Sequence, residues 1–270
     1  MDNLISFQKG KIRMNQRNAE KLKYELLETW NTFNHYMTEA LTFQNSEDIH
    51  QARVHLRKLL TFMQLYDTKP STYRQLKQLM EALGAVRDGD VLLEGLAVET
   101  ELEQAFADHV EASRAKDRTI LNTRVTEKMT PSLDQQVRRF IGGQLFRAFK
   151  KQDASSFIDK ARSDRKRRID AHHDATEMSD RLETLHKVRL AVKRERYLNE
   201  YLLNYETKAS KDQIQKLKRL QTELGDMNDR HQLLLRWSDF TPPAALADDY
   251  EQVVHELQSR LDESVDAIQL

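Results

Sequence analysis

Three stretches of this chain share one spacing of charged side chains. His50, Arg53 and Arg57 stand three and four residues apart, as do His186, Arg189 and Lys193, and again Arg165, Arg168 and His172. Each residue of an α-helix advances about 100°, so with His50 at zero Arg53 falls near 300° and Arg57 near 340°. Each trio therefore forms one stripe. Guanidinium forks match phosphate oxygens geometrically, and a lysine adds a point charge. Imidazole adds a proton whose retention phosphate contact favours, so such a stripe would grip an extended polyanion more tightly as pH falls. Lys58 and Arg194 follow the last cation of the first two stripes, and Arg196 and Tyr197 extend the second by a turn.

The bland reading is a solvated helix face. Three observations oppose it. The stripe occurs twice at corresponding positions, it is rich in arginine, and it lacks the interleaved glutamates of an ordinary soluble face. Clustered cations repel one another, so an anionic partner is expected, with phosphate the leading candidate.

Rival chemistries leave weaker traces. Glu47-x-x-His50 and Glu183-x-x-His186 match the i,i+3 pair of di-iron helical bundles. The cations that follow each histidine oppose a dication, however, and both glutamates suit first-turn positions. His172-His173 resembles a metal pair, but helical neighbours point about 100° apart. Phosphoryl hydrolysis with histidine as general acid or nucleophile would find its oxyanion-binding cations here, yet neither a P-loop nor an aspartate cluster for Mg²⁺ is present. A nucleic-acid groove would interleave stacking aromatics, and only Tyr197 lies on a stripe. The expectation is binding without catalysis, with neither metal nor cofactor.

The elements that position these stripes read as helices throughout. Apolar positions recur at helical spacing over about 14–44, 47–67, 71–84 and 88–128, then 133–150, 154–178, 180–204, 210–225, 229–238 and 246–267. In the first stripe helix Leu56, Leu59, Met63 and Tyr66 fall at about 160–240°, opposite the cations. Strand-period alternation is absent. Pro70 and Pro242-Pro243 punctuate the chain, and Pro131 marks a boundary between halves 1–130 and 131–270. Four helices per half suit two bundles.

Those halves repeat each other. HQARVHLRKLL begins at His50 and HKVRLAVKRERY at His186; LKQLMEALGAVRDGDVLL begins at Leu76 and LKRLQTELGDMNDRHQLL at Leu217. Two blocks in one order at nearly equal offsets identify a tandem duplication. Gly84 and Gly225 fit helix C′ positions, and Asp88 and Asp229 fit N-caps of following helices. Lys77 and Lys218, one residue after a stripe leucine, either snorkel outward or reach into a central groove. Trp30 and Trp237 read as core anchors, Met63 and Met80 as core filler.

The composition agrees. The chain has 270 residues, 39% hydrophobic and 32% charged, with only 7 Gly and 4 Pro, which suits amphipathic helices. Lys+Arg and Asp+Glu both number 43, so net charge says nothing about partners, and arrangement must. The absence of cysteine excludes disulfide and thiolate chemistry and fits a cytosolic protein. MDNLISFQKGKIRMNQRN has no apolar core of signal-peptide length, and no apolar run is long enough to span a membrane.

The paired H-x-x-R-V/L-x-x-R/K-R/K helices, each followed by L-K-x-L-x-x-x-L-G-x-x-x-D, resemble the CHAD domain, the conserved histidine α-helical domain. The resemblance covers about residues 15–268, with the motifs in order. It implies an all-α fold, two pseudo-symmetric four-helix bundles around a basic channel, and binding of inorganic polyphosphate in the cytoplasm or at polyphosphate granules. It gives a lining role to His50, Arg53, Arg57, Lys58, His186, Arg189, Lys193, Arg194, Arg196 and Tyr197. Lys77, Lys218, Arg165 and Arg168 join them as candidates from the spacing. There are departures. Leu60 stands where the family usually has arginine, Glu195 replaces an expected leucine on the apolar side, and Asn228 replaces the Arg87 of the first copy. The Glu-x-Glu-x-Lys strand motif of triphosphatase fusions is absent; ETELE at 99–103 lacks the lysine.

Overall fold

A computed structural model describes residues 16–64, 71–151, 155–205 and 209–270. The described residues form helices and turns, without strands. Tyr66 and Pro70, which figure in the sequence argument, lie outside them.

The first helix, α1 (Gln16–Ala40), buries Leu22, Leu26, Trp30, Phe33 and Met37 along one face. Phe43 then turns the chain in a left-handed conformation, and the Asn45 side chain caps α2 (Ser46–Met63). Helix α2 buries Ile49, Ala52, Leu56, Leu59, Phe62 and Met63, leaving its cationic stripe on the other side as the angles require.

The glycine-aspartate blocks depart from the expectation. Gly84 and Asp88 lie inside a single helix, α3 (Ser71–Gly95), and Gly225 and Asp229 lie inside α9 (Lys211–Ser238). No glycine among the described residues has positive φ, so neither acts as a left-handed cap. A glycine within a helix costs about 1 kcal/mol relative to alanine. Burying the flanking Leu83 and Val86, or Leu224 and Met227, at about 1.5–3 kcal/mol each outweighs that cost. The break comes after Gly95 instead, where Thr100 and Glu103 form a capping box that starts α4 (Glu101–Lys128).

After Thr130, which caps α5 (Pro131–Arg139), a six-residue π-helical turn spans Phe140–Leu145 around Gly142 and Gly143. Then follow α6 (Phe146–Lys151), α7 (Ser155–His173), α8 (Met178–Leu202), α9, a short 3₁₀ turn and α10 (Ala247–Ala267). Glu183 falls in the second turn of α8 rather than the first and pairs with Lys187.

Three apolar clusters hold the helices. The largest joins α1, α2 and α3 with α5–α6, parts of α4 and α7, and the C-terminal end of α8. Trp30 is fully buried in it, and its indole N–H donates to Asp134 at 2.7 Å, tying α1 to α5. A second cluster packs α8, α9 and α10 together, and a third stacks Phe106 of α4 on Trp237 of α9 at 3.9 Å. No helix among the described residues is long and apolar enough to cross a membrane.

Candidate polyanion-binding site

The stripes of α2 and α8 meet. Arg57 of α2 donates to the Tyr197 hydroxyl of α8 at 3.2 Å, and Arg194 of α8 donates to Gln64 at the end of α2 at 3.0 Å. Around the Arg57–Tyr197 contact lie Arg53, Arg189 and Lys193, and the three guanidiniums are close enough to weaken the protonation of the lysine. Burial first, then Arg189, Arg57 and Arg53, push the Lys193 ammonium down to about 7, with only Asp229 opposing. Arg189 and Arg53 are also lowered, chiefly by burial.

Little inside the protein answers these charges. Among the described residues Arg189 and Lys193 have neither a hydrogen bond nor an ion pair, and the Nε groups of Arg53 and Arg189 are buried without a partner. Asp88 of α3 makes the ion pair seen in the cluster, an exposed carboxylate that accepts from Arg53 at 3.3 Å. Its counterpart Asp229 accepts from Asn228 instead, at 3.3 Å. Gly84 lies beneath Arg53: a β-carbon there would sit 3.9 Å from the guanidinium. The LG-x-x-x-D blocks thus bear on the site through mid-helix positions rather than as caps. The signal was present in their i, i+4 spacing, which puts glycine and aspartate on one helix face.

Two cations lie over the Tyr197 ring, with the Arg57 guanidinium 5.7 Å and the Arg196 guanidinium 4.2 Å from its centre. It stacks on Tyr201, over which Lys58 sits at 5.1 Å. Tyr201 went unread in the sequence, although it lies one turn beyond Tyr197. Burial lowers the Lys58 pKa, against Glu25, and raises that of Tyr201.

The remaining candidates are held elsewhere. Arg196 donates to Gln221 at 2.7 Å and to Glu200, which also attracts the exposed Lys218 at 3.7 Å. Lys77 is on the surface with Glu81, one turn along its own helix. On α7, Arg165 donates to Glu195 at 2.7 Å and Arg168 to Asp164 at 3.0 Å; Arg194 reaches the same Asp164 at 3.2 Å. Glu195 is fully buried and also accepts from Arg162 and from Gln213 of α9. That carboxylate links α7, α8 and α9 with the charge-assisted bonds a buried anion requires.

His186 is exposed, with its ring Nδ1 3.2 Å from the Asn228 side chain, and His172 Nδ1 lies 2.9 Å from the Thr184 hydroxyl. His50 is half-buried at the start of α2. Among the described residues no group of three or more His, Asp or Glu side chains is placed to hold a metal ion, so the Glu-x-x-His pairs are not assembled into one.

Comparison with known proteins places the fold. The CHAD domain family profile matches residues 27–238. The crystal structure of the CHAD domain from the plant Ricinus communis is similar in fold, with a TM-score of 0.65 over 93% of this chain and 92% of that one at 19% identity. PptA from Streptomyces chartreusis is similar too, with a TM-score of 0.63 over 92% of this chain and 95% of that one at 15% identity. No curated protein matches the sequence significantly. With its family profile matched from α1 to the end of α9, the chain belongs to the CHAD domain family.

Proposed function

We propose that the cluster formed by Arg53, Arg57, Arg189 and Lys193 binds inorganic polyphosphate, or another linear polyanion, without catalysing its conversion. One observation carries this reading: four cations from the two copies of the repeat converge, and two of them have no hydrogen-bond or ion-pair partner among the described residues. Partly buried cations that outnumber their counter-charges destabilise the fold unless a ligand offsets them. A phosphate chain fits because its charges are regularly spaced and its oxygens accept bidentate guanidinium bonds. Family membership supports the same choice. On this reading the protein works in the cytoplasm, including at polyphosphate granules, and RNA is the weaker ligand because no row of exposed aromatic faces accompanies the stripe.

Charge reversal tests it. Arg53→Glu and Arg189→Glu should each abolish polyphosphate retention in a gel-shift or calorimetric assay while leaving helical circular dichroism intact. Retention of polyphosphate by the folded double variant would refute the assignment. Steady release of orthophosphate by wild type would refute the non-catalytic part.

A further inference from the structure

Lys193 is the cation least supported by its surroundings. On its own helix it lies between Arg189, one turn before, and Tyr197, one turn after; α2 brings Arg53 and Arg57 against it. From α9 the only opposing charge is Asp229, which is engaged with Asn228. From α3, Asp88 is engaged with Arg53. On α7, Asp164 is taken by Arg167, Arg168 and Arg194, while Arg162 and Arg165 are taken by Glu195. Among the described residues no carboxylate forms an ion pair with Lys193, and Asp229 acts on it only at longer range. Guanidinium groups hold their protons through the whole accessible range, so a crowded mixed cluster relieves itself at its lysine.

We infer that capture of a polyanion at this cluster is coupled to the uptake of one proton by Lys193, so that affinity is governed by pH above neutrality rather than by histidine titration below it. The inference rests on the polyanion-binding reading above. In the empty cluster the ammonium titrates near 7. Phosphate oxygens arriving among the guanidiniums add the missing counter-charge and return Lys193 towards its ordinary value. The amine nitrogen takes the proton from solvent, and no other bond changes. The slope of the logarithm of the association constant against pH equals the number of protons taken up, so affinity should fall by about tenfold per unit where uptake is complete.

The experiment uses the full chain and long, size-fractionated polyphosphate. Long chains keep the terminal phosphates, with their second pKa of about 6, a small part of the ligand. At constant salt, wild-type affinity should be level below about pH 7 and drop by about tenfold between about pH 8 and 9. Calorimetry in two buffers of different ionisation enthalpy should report about one proton taken up per site at the higher pH. Lys193→Arg, which keeps the charge but does not titrate, should bind with an affinity that changes less than about twofold over the same range. Wild-type binding that is level in pH and takes up no proton overturns the coupling while leaving the polyphosphate reading intact. So does an equal slope in Lys193→Arg. Absence of binding at every pH overturns the polyphosphate reading itself. The buffer comparison on wild type does not depend on the variant folding.

Discussion

Replacing Lys193 by methionine should stabilise the empty protein, and the amount should depend on pH. Methionine keeps the apolar stem of lysine and removes the ammonium from among Arg53, Arg57 and Arg189. The folded state holds that ammonium near pKa 7, against 10.5 for a lysine in the open. Between those values the unfolded chain binds more protons than the folded one, so unfolding takes up a proton and wild-type stability rises with pH across the window. At 1.4 kcal/mol per unit, the charge disfavours folding by on the order of 4 kcal/mol at pH 7 and on the order of 2 kcal/mol at pH 9. Urea denaturation of both proteins at pH 7, 8 and 9 measures the difference, and subtracting the variant's curve cancels every other titrating group. The advantage of Lys193→Met should shrink by about 2 kcal/mol from pH 7 to 9. An advantage that is absent at pH 7, or that grows with pH, would refute the placement of Lys193 in an uncompensated cluster.

Further tests address the surrounding structure. If about four phosphates are neutralised, the logarithm of polyphosphate affinity should fall with that of salt at a slope near −3, using the coefficient of about 0.7 per phosphate for single strands; a slope near zero would contradict ionic capture. Glu195→Leu should destabilise the fold by about 3 kcal/mol through loss of a buried carboxylate's partners, and Arg165→Leu in the same chain should recover part of it in thermal melts. Gly225→Ala should stabilise α9 by about 0.5–1 kcal/mol, because nothing lies within 4 Å of the added β-carbon; a loss of stability would restore the helix-cap reading.

The stripes were legible in the sequence because the angular position of a residue on a helix depends on spacing alone. The buried face of α2 followed from the same arithmetic, and Glu195 stood out as a charge among apolar positions. Two kinds of fact were not legible. Gly84 and Gly225 read locally as helix ends, and only the burial of Leu83 and Val86, or of Leu224 and Met227, a tertiary effect, carries α3 and α9 through them. Arg165, Arg168 and His172 share the spacing of His186, Arg189 and Lys193, yet spacing cannot show which cations find carboxylates across a helix pair. Glu195 and Asp164 engage the α7 arginines in ion pairs, while Arg189 and Lys193 form none among the described residues and feel Asp229 only at longer range.

The Arg57–Tyr197 contact joins residues 140 positions apart, one from each copy of the repeat. A chain holding a single copy would carry half a cluster and would have to pair with a second chain to complete it. Fusion of the copies removes that dependence on concentration and also releases the two halves from symmetry. Glu195 corresponds to Leu59 at the repeat offset, and each is buried in its own helix. In a symmetric pair of identical chains both positions would have to be glutamate or both leucine. The covalent link therefore lets one copy keep an apolar packing surface while the other carries a buried charge network.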